Sequence, residues 1–266
     1  MLSFIISILV AVAPGYVVFR DHGPYWGAAS GLVVFLLAQL VIGLILRRFV
    51  NKEQENVQNI LMQAQNDINR QITIFQRRSP GSERAARQIL EKIQNKATSD
   101  ALAATDNFKR FYIWNFMLAR QINTMKMQLL FQMGDYKAVD EILPRCMLMD
   151  QQSLAIKLVR MYKNADPKID KFYQKKCART KGDAAAFLAS VYTWILLKQD
   201  KKELAVDVLL KAKSKSDHPV LVENFERIAN GKTKQFSNAG FGDLWYALGL
   251  EEYKIKPQKQ KMGRPF

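Results

Sequence analysis

The side chains best suited to acid–base or nucleophilic chemistry are few in this chain: two histidines, His22 and His218, and two cysteines, Cys146 and Cys177. The cysteines lack CxxC spacing and have no histidine near them, so the pattern of a metal or redox site is missing from the sequence. The sequence also has no glycine-rich loop followed by Lys-Ser or Lys-Thr, which would cradle a phosphate. We therefore predict no catalytic residue, no metal ligand and no cofactor.

Two pairs of adjacent acids, Asp140-Glu141 and Glu251-Glu252, are the remaining candidates for general acid–base work. Neighbouring acids on a helix are usually solvated, so we expect a non-enzyme, with an enzyme as the alternative. His218-Pro219 has the pattern of a boundary between helices. The cysteines are interpreted as buried thiols, and a disulfide is the alternative if the domain lies outside the cytoplasm.

The strongest feature of the chain is the segment from Gly27 to Leu46. It contains no charge, has Gln39 as its one strongly polar side chain, and is followed at once by Arg47 and Arg48. Twenty helical residues span about 30 Å, the thickness of the hydrocarbon core of a bilayer. We predict a membrane helix at 27–46 with the two arginines flanking it. A buried helix of a soluble core is the alternative.

A second apolar segment, residues 1–19, precedes this helix and predicts another membrane helix at about 2–19. A cleaved signal peptide stays open as an alternative, although Pro14 directly follows the one plausible cleavage site. Residues 1–48 would then form a transmembrane hairpin. The positive-inside rule places both termini in the cytoplasm, because Arg47, Arg48 and Lys52 outnumber the single Arg20 of the loop.

Residues 49–80 form the predicted juxtamembrane helix, which is polar except for one narrow stripe. The stripe has spacings of three and four residues and comprises Val57, Leu61, Ala64, Ile68, Ile72 and Phe75. We favour packing of this stripe on the following domain, and a dimerising coiled coil is the alternative. Residues 79–82 should break the helix, with Ser82 as the N-cap of the next one.

Beyond this break the composition is all-α, because Ala, Leu, Lys, Gln and Glu dominate and strand-like alternation is nearly absent. One helix is expected from Ser82 to about Asn95, and another is expected to start at Thr98-Ser99-Asp100. The second helix would carry an aromatic cluster, which we interpret as core rather than as a base-stacking surface. Its members are Phe108, Phe111, Tyr112, Trp114, Phe116 and Met117.

A repeat signal runs through the second half of the chain. Gly134, Tyr136 and Ala138 resemble the turn of a tetratricopeptide repeat, and Ala205, Leu209 and Ala212, closed by Pro219, give a second partial match. The 67 residues between Ala138 and Ala205 are close to twice the repeat period of about 34.

A degenerate repeat fits between these matches, with helices at 153–163 and 168–178 and a turn at 164–167. Trp245 and Gly249 resemble the opening of a further repeat. We predict a tetratricopeptide-like solenoid of helical hairpins within residues 81–255, with an irregular helical bundle as the alternative.

The layout of two apolar segments, a basic exit and helical repeats resembles HemY-type inner-membrane tetratricopeptide proteins. The resemblance is one of architecture and transfers no individual residue. It implies a multi-pass protein of the bacterial inner membrane that works as a scaffold.

The formal net charge is +16, and a basic tail at 256–266 is predicted to be disordered. Taken with the repeats, this charge favours an acidic protein or peptide as the partner at the cytoplasmic membrane surface. Anionic lipid headgroups, and less favourably a nucleic acid, are the alternative partners.

Overall fold

A computed structural model describes residues 2–77 and 82–252, and every regular element in those ranges is helical, with no β-strand. This confirms the predicted all-α class. The chain divides into two units, Met1–Met147 and Leu148–Phe266. The division falls inside the region 81–255 that the sequence predicts as one domain. The predicted tail 256–266 lies outside the described residues.

The first unit begins with two long helices, α1 and α2, and continues with shorter ones. Both long helices contain stretches that are long and apolar enough to cross a membrane, judged by length and composition. The elements are α1 (Leu2–His22), α2 (Pro24–Arg77), α3 (Glu83–Ala104), a 3₁₀ segment (Thr105–Phe111), α4 (Phe116–Gln132), α5 (Tyr136–Ile142) and a 3₁₀ turn (Leu143–Arg145).

Small residues let α1 approach α2 closely. Ser3, Ser7 and Ala11, spaced four apart, are the buried residues of α1. A Cβ atom added to Gly15 would lie 3.4 Å from the carbonyl oxygen of Gly27. A Cβ atom on Gly27 would lie only 2.5 Å from the Cβ atom of Phe19. The two backbones therefore come closer than larger side chains would allow, as in small-xxx-small helix pairs.

Gly27→Ala should loosen this hairpin, because the added methyl group has no room beside Phe19. Overpacking of this kind costs about 1–3 kcal/mol. Gly43→Ala is the matched control on the same helix, since a Cβ atom there meets nothing within 4 Å. We expect thermal unfolding of the full chain in detergent at a lower temperature for Gly27→Ala and an unchanged or higher temperature for Gly43→Ala. Equal behaviour of the two variants would contradict the close approach.

The polar half of α2 continues without interruption from the apolar half and packs against α3. Val57 is buried with Ala101 and Phe108 in one cluster, and Leu61 packs against it. The predicted packing of the stripe within the chain is thus confirmed for its first part. Ile72, near the other end, is 39% exposed.

The predicted helix boundary at Thr98-Ser99-Asp100 is wrong, because α3 runs unbroken to Ala104. Thr98 does not cap a new helix. Its hydroxyl donates to the carbonyl oxygen of Gln94, 2.8 Å away, which satisfies it inside the helix. The start of α3 agrees with prediction, since the Ser82 hydroxyl accepts from the Ala85 amide at 3.1 Å. The predicted break at 79–81 lies outside the described residues.

The aromatic cluster is divided between the 3₁₀ segment, the turn after it and the start of α4, so that one helix does not carry all of it. Phe108 and Phe111 are buried, which agrees with their interpretation as core, whereas Met117 is 38% exposed. The helix that follows, α4, has Asn115 as its N-cap, and the Asn115 side chain accepts from the Met117 amide. The side chain of Phe116 is not among the described ones.

The second unit is built around one helix, α8, in which every residue from Ala185 to Leu196 is buried. It contacts α6, α9 and α10. The elements are α6 (Gln151–Lys163), α7 (Ile169–Lys175), a 3₁₀ turn (Cys177–Arg179), α8 (Gly182–Lys198), α9 (Lys202–Lys213), α10 (Pro219–Ala229), 3₁₀ turns at Thr233–Gln235 and Ala239–Phe241, and α11 (Asp243–Tyr246). The helices predicted at 153–163 and 168–178 correspond to α6 and to α7 with its 3₁₀ turn.

Four helices, α4, α6, α8 and α10, end in the same way. Each is followed by a residue with positive φ: Gly134 (76°), Ala165 (51°), Asp200 (58°) and Gly231 (73°). In each case that residue's amide donates to the carbonyl three residues earlier, and the next amide donates to the carbonyl five residues earlier. This pair of hydrogen bonds is the Schellman motif. It recurs at intervals of 31, 35 and 31 residues.

Ala165→Gly should stabilise the chain, because a left-handed conformation costs an L-residue about 1–2 kcal/mol and glycine recovers most of it. After the greater backbone entropy of glycine is deducted, we expect a net gain of about 0.5–1 kcal/mol. Gly134→Ala is the reverse change, and no atom lies within 4 Å of the added Cβ, so it should destabilise through the backbone alone. Chemical unfolding of the full chain in detergent measures both, and effects of the same sign would contradict this account.

The last segment departs from the prediction. Trp245 and Gly249 do not open a long helix, since α11 is a single turn of four residues and Gly249 has a positive φ of 62°. Pro219 does not close a unit either, because it is the first residue of α10. His218 precedes it as the N-cap, its Nδ1 accepting from the Val220 amide at 3.3 Å, so the predicted boundary itself is confirmed.

Candidate binding groove

The second unit has a groove between its two helical hairpins, α6–α7 and α8–α9. One part of it is a pocket of about 370 Å³ whose walls are α7, the 3₁₀ turn at Cys177–Arg179, α8 and α9. A second pocket, of about 520 Å³, shares Ala178, Ser214 and Lys215 with the first and adds Arg179, Thr180 and Lys181. We call the two together the hairpin groove.

Two stacked tyrosines form the floor of the more apolar part. The rings of Tyr173 on α7 and Tyr192 on α8 are 4.0 Å apart between centroids and nearly parallel, at 16°. The Tyr192 hydroxyl donates to Oδ1 of Asp170 at 2.6 Å. Burial raises the pKa of Tyr192, and the hydrogen bond to Asp170 raises it further. Burial likewise raises the pKa of Tyr173, so both rings stay neutral at physiological pH.

Cys177 belongs to the wall of this pocket but is only 1% exposed. Burial raises the pKa of its thiol to about 12. Nucleophilic chemistry requires the thiolate, so this cysteine is inert at neutral pH. Cys146 in the other unit is also a free, buried thiol. The predicted interpretation of both cysteines as buried thiols is therefore confirmed.

Charged side chains line the rim of the hairpin groove and differ between its ends. Near the tyrosines, Asp207 accepts from Lys211 Nζ at 2.6 Å, and Lys215 Nζ donates to the carbonyl oxygen of Ala178. At the other end, Arg179 and Lys181 are exposed and line the second pocket. Four basic and two acidic side chains line the groove in all.

The composition of the hairpin groove is suited to binding a ligand with apolar and anionic groups. Its aromatic and aliphatic floor can take an apolar side chain, and its basic end can take a carboxylate or another anion. In residues 2–77 and 82–252, no group of three or more His, Cys, Asp or Glu side chains is placed to hold a metal ion.

The repeat residues predicted from sequence lie on α9, in the turn between α4 and α5 with the start of α5, and in the last segment of the second unit. Ala205, Leu209 and Ala212 are the buried residues of α9, and Ala212 also lines the groove. In the first unit, Gly134 forms the turn between α4 and α5, followed by the N-cap Asp135 and by Tyr136 as the first residue of α5. Ala138 is half-buried, and Val139 beside it is fully buried.

The flanking arginines Arg47 and Arg48 are exposed on α2. The key floor residues Tyr173, Tyr192 and Asp170 are not apparent from the sequence. Tyr173 lies on α7, within the helix predicted at 168–178, so the sequence indicates the helix but not which of its side chains line the groove.

The acid pair Glu251-Glu252 has a structural explanation. The Glu251 carboxylate accepts from Nε1 of Trp194 at 2.8 Å through one oxygen and from Nε1 of Trp245 at 3.0 Å through the other. The two indole rings meet edge to face, with centroids 6.0 Å apart. Trp245 is completely buried. The short α11 therefore closes one side of α8, and Glu251 holds it there.

Glu251→Ala should lower the stability of the chain, because two indole N–H groups lose their acceptor. A hydrogen bond to a charged group contributes about 1.5–3 kcal/mol. Because Glu251 is exposed, water weakens both bonds, and we expect a total loss of about 2 kcal/mol. Thermal unfolding of the full chain in detergent, followed by tryptophan fluorescence, measures the change. Glu252→Ala is the control, and an equal loss in both variants would contradict the bridging role.

Comparison with known proteins finds no family model, no curated protein and no solved structure that matches this chain. A function for the chain is therefore inferred from the geometry of the hairpin groove and of the apolar hairpin.

Proposed function

We propose that this protein is a membrane-anchored scaffold whose helical hairpins form a tetratricopeptide-like solenoid that binds a partner protein. The partner contributes a short peptide with an apolar side chain next to an acidic group. It lies in the hairpin groove, with the apolar side chain on the tyrosine floor and the acidic group at the Arg179–Lys181 end.

The position of the basic side chains is the observation that supports this proposal. A surface for lipid or for a phosphate backbone would spread its lysines and arginines over one outer face. Here Arg179, Lys181, Lys211 and Lys215 line a groove that also has an aromatic floor. A groove of this composition discriminates one peptide from another through shape as well as charge.

The recurrent Schellman turns support the solenoid. Helices that end in the same turn at intervals of 31 to 35 residues are expected in a solenoid, in which each repeat buries its apolar face against its neighbours. The apolar lengths of α1 and of the first half of α2 support anchoring in a membrane, in the bacterial inner membrane by the architectural resemblance, with the second unit in the cytoplasm.

Two leucines of α9 allow a sharp test in intact membranes. Leu204 is 50% exposed and lines the groove, whereas Leu210 is 54% exposed on the same helix and does not line it. A photo-cross-linking amino acid placed at Leu204 should give an adduct with one defined protein, and the same amino acid at Leu210 should not.

The cross-linked peptide, identified by mass spectrometry, should contain an apolar residue next to Asp, Glu or a chain terminus. Charge reversal of the basic end, Arg179→Glu with Lys181→Glu, should reduce the yield of the adduct by about tenfold or more, since a like charge would then face the acidic group. Absence of an adduct specific to position 204, or an adduct that survives the reversal, would refute the proposed site.

A further inference from the structure

An apolar pocket of about 480 Å³ lies in the first unit at the point where the apolar half of α2 ends. Its walls come from three places in the sequence: α1, α2 and the turn before α4. They comprise Ile6, Ile42, Ile45, Leu46, Phe49, Arg110, Phe111 and Trp114. Arg110 is the one charged residue among them. We call this cavity the exit pocket.

The walls of the exit pocket are held together by contacts at both ends. The Leu2 amide donates to the carbonyl oxygen of Ile113 at 2.9 Å, and the Ser3 hydroxyl donates to that of Trp114 at 3.0 Å. On the other side, the rings of Phe49 and Phe111 stack with centroids 6.4 Å apart. The start of α1 is therefore fixed to the same turn that packs on α2.

Charged residues lie in the wall of the exit pocket and next to it in the sequence of α2. Arg110 forms an ion pair with Glu53, and its guanidinium lies 4.8 Å from the centre of the Phe111 ring. Arg48 is three residues after Ile45, and Lys52 is three after Phe49, so both flank the wall of α2. One basic side chain in the wall and two next to wall residues on α2 thus outnumber the one acid, Glu53, which favours an anion.

We propose that the exit pocket binds one anionic phospholipid, with an acyl chain in the cavity and the phosphate near Arg48, Lys52 and Arg110. This inference rests on the membrane anchoring proposed above, but not on the hairpin groove. The pocket adjoins apolar side chains of α1 and α2 that are half-exposed, including Ile5 (55%) and Ile45 (51%). Those side chains would face the bilayer, so lipid reaches the pocket directly.

Trp114 provides a local probe, because bromine atoms on a lipid chain quench tryptophan only at short range. The chain contains four tryptophans. Of these, Trp194 and Trp245 are buried in the second unit. Trp26→Phe removes the 68% exposed tryptophan at the start of α2. The difference between Trp26→Phe and the double variant with Trp114→Phe then isolates the signal of Trp114.

The full chain is reconstituted in phosphatidylcholine vesicles containing equal mole fractions of brominated phosphatidylglycerol or brominated phosphatidylcholine. We expect the quenching of Trp114 to show that the exit pocket binds brominated phosphatidylglycerol at least about fivefold more tightly than brominated phosphatidylcholine. One lysine or arginine close to the headgroup has an effect of this size. Arg48→Gln with Lys52→Gln should bring the preference close to one. Arg77→Gln, at the other end of α2, should leave it unchanged.

Equal quenching of Trp114 by the two brominated lipids would overturn the proposal, because bulk lipid would then account for the signal. The proposal would also be overturned if neither brominated lipid quenched Trp114. The difference between the wild-type chain and Trp26→Phe reports insertion independently, because Trp26 belongs to the apolar hairpin. Quenching of Trp26 without selective quenching of Trp114 therefore rejects the lipid site while the anchoring stands.

Discussion

The exposed apolar surface of α1 and of the first half of α2 is the constraint on which the rest of the first unit depends. Side chains such as Leu36 and Leu40 are more than half exposed, and contact between the two helices through small residues leaves the outward faces uncovered. In the anchoring proposed above, a bilayer covers these faces. Because α2 continues unbroken into its polar half, that bilayer would also fix the position of the cluster around Val57 and Phe108.

The features that the sequence predicted correctly depend on residue types and spacing within one segment. The uncharged run from Gly27 to Leu46 predicted a helix, because twenty consecutive, predominantly apolar residues match the length at which a helix spans the core of a bilayer. The hairpin α6–α7 agrees with the turn predicted at 164–167, because a proline disfavours the helical conformation of Asp166 before it. The buried positions Ala205 and Leu209 follow from their spacing on an amphipathic helix.

Other features were not predicted because they depend on the folded backbone and on contacts between segments far apart in the sequence. Ala165 adopts a left-handed conformation that its residue type does not favour. The recurring turn is therefore recognised by its hydrogen bonds and not by a glycine at each position. Thr98 resembles a cap, but its hydroxyl bonds within the helix. Trp245 resembles the start of a repeat, but it is held by Glu251 against α8. The tyrosine floor of the hairpin groove depends on two helices packing together, which spacing within one helix cannot indicate.

The unbroken length of α2 has a mechanical consequence. At 1.5 Å per residue, its 54 residues form a strut of about 80 Å, with no loop or proline between its apolar and polar halves. A helix whose apolar length differs from the thickness of the bilayer adjusts by tilting. Any such tilt would swing the polar arm, and the core packed on it, through a proportionate arc. In the anchoring proposed above, a change in bilayer thickness would therefore change the orientation of the polar arm of α2.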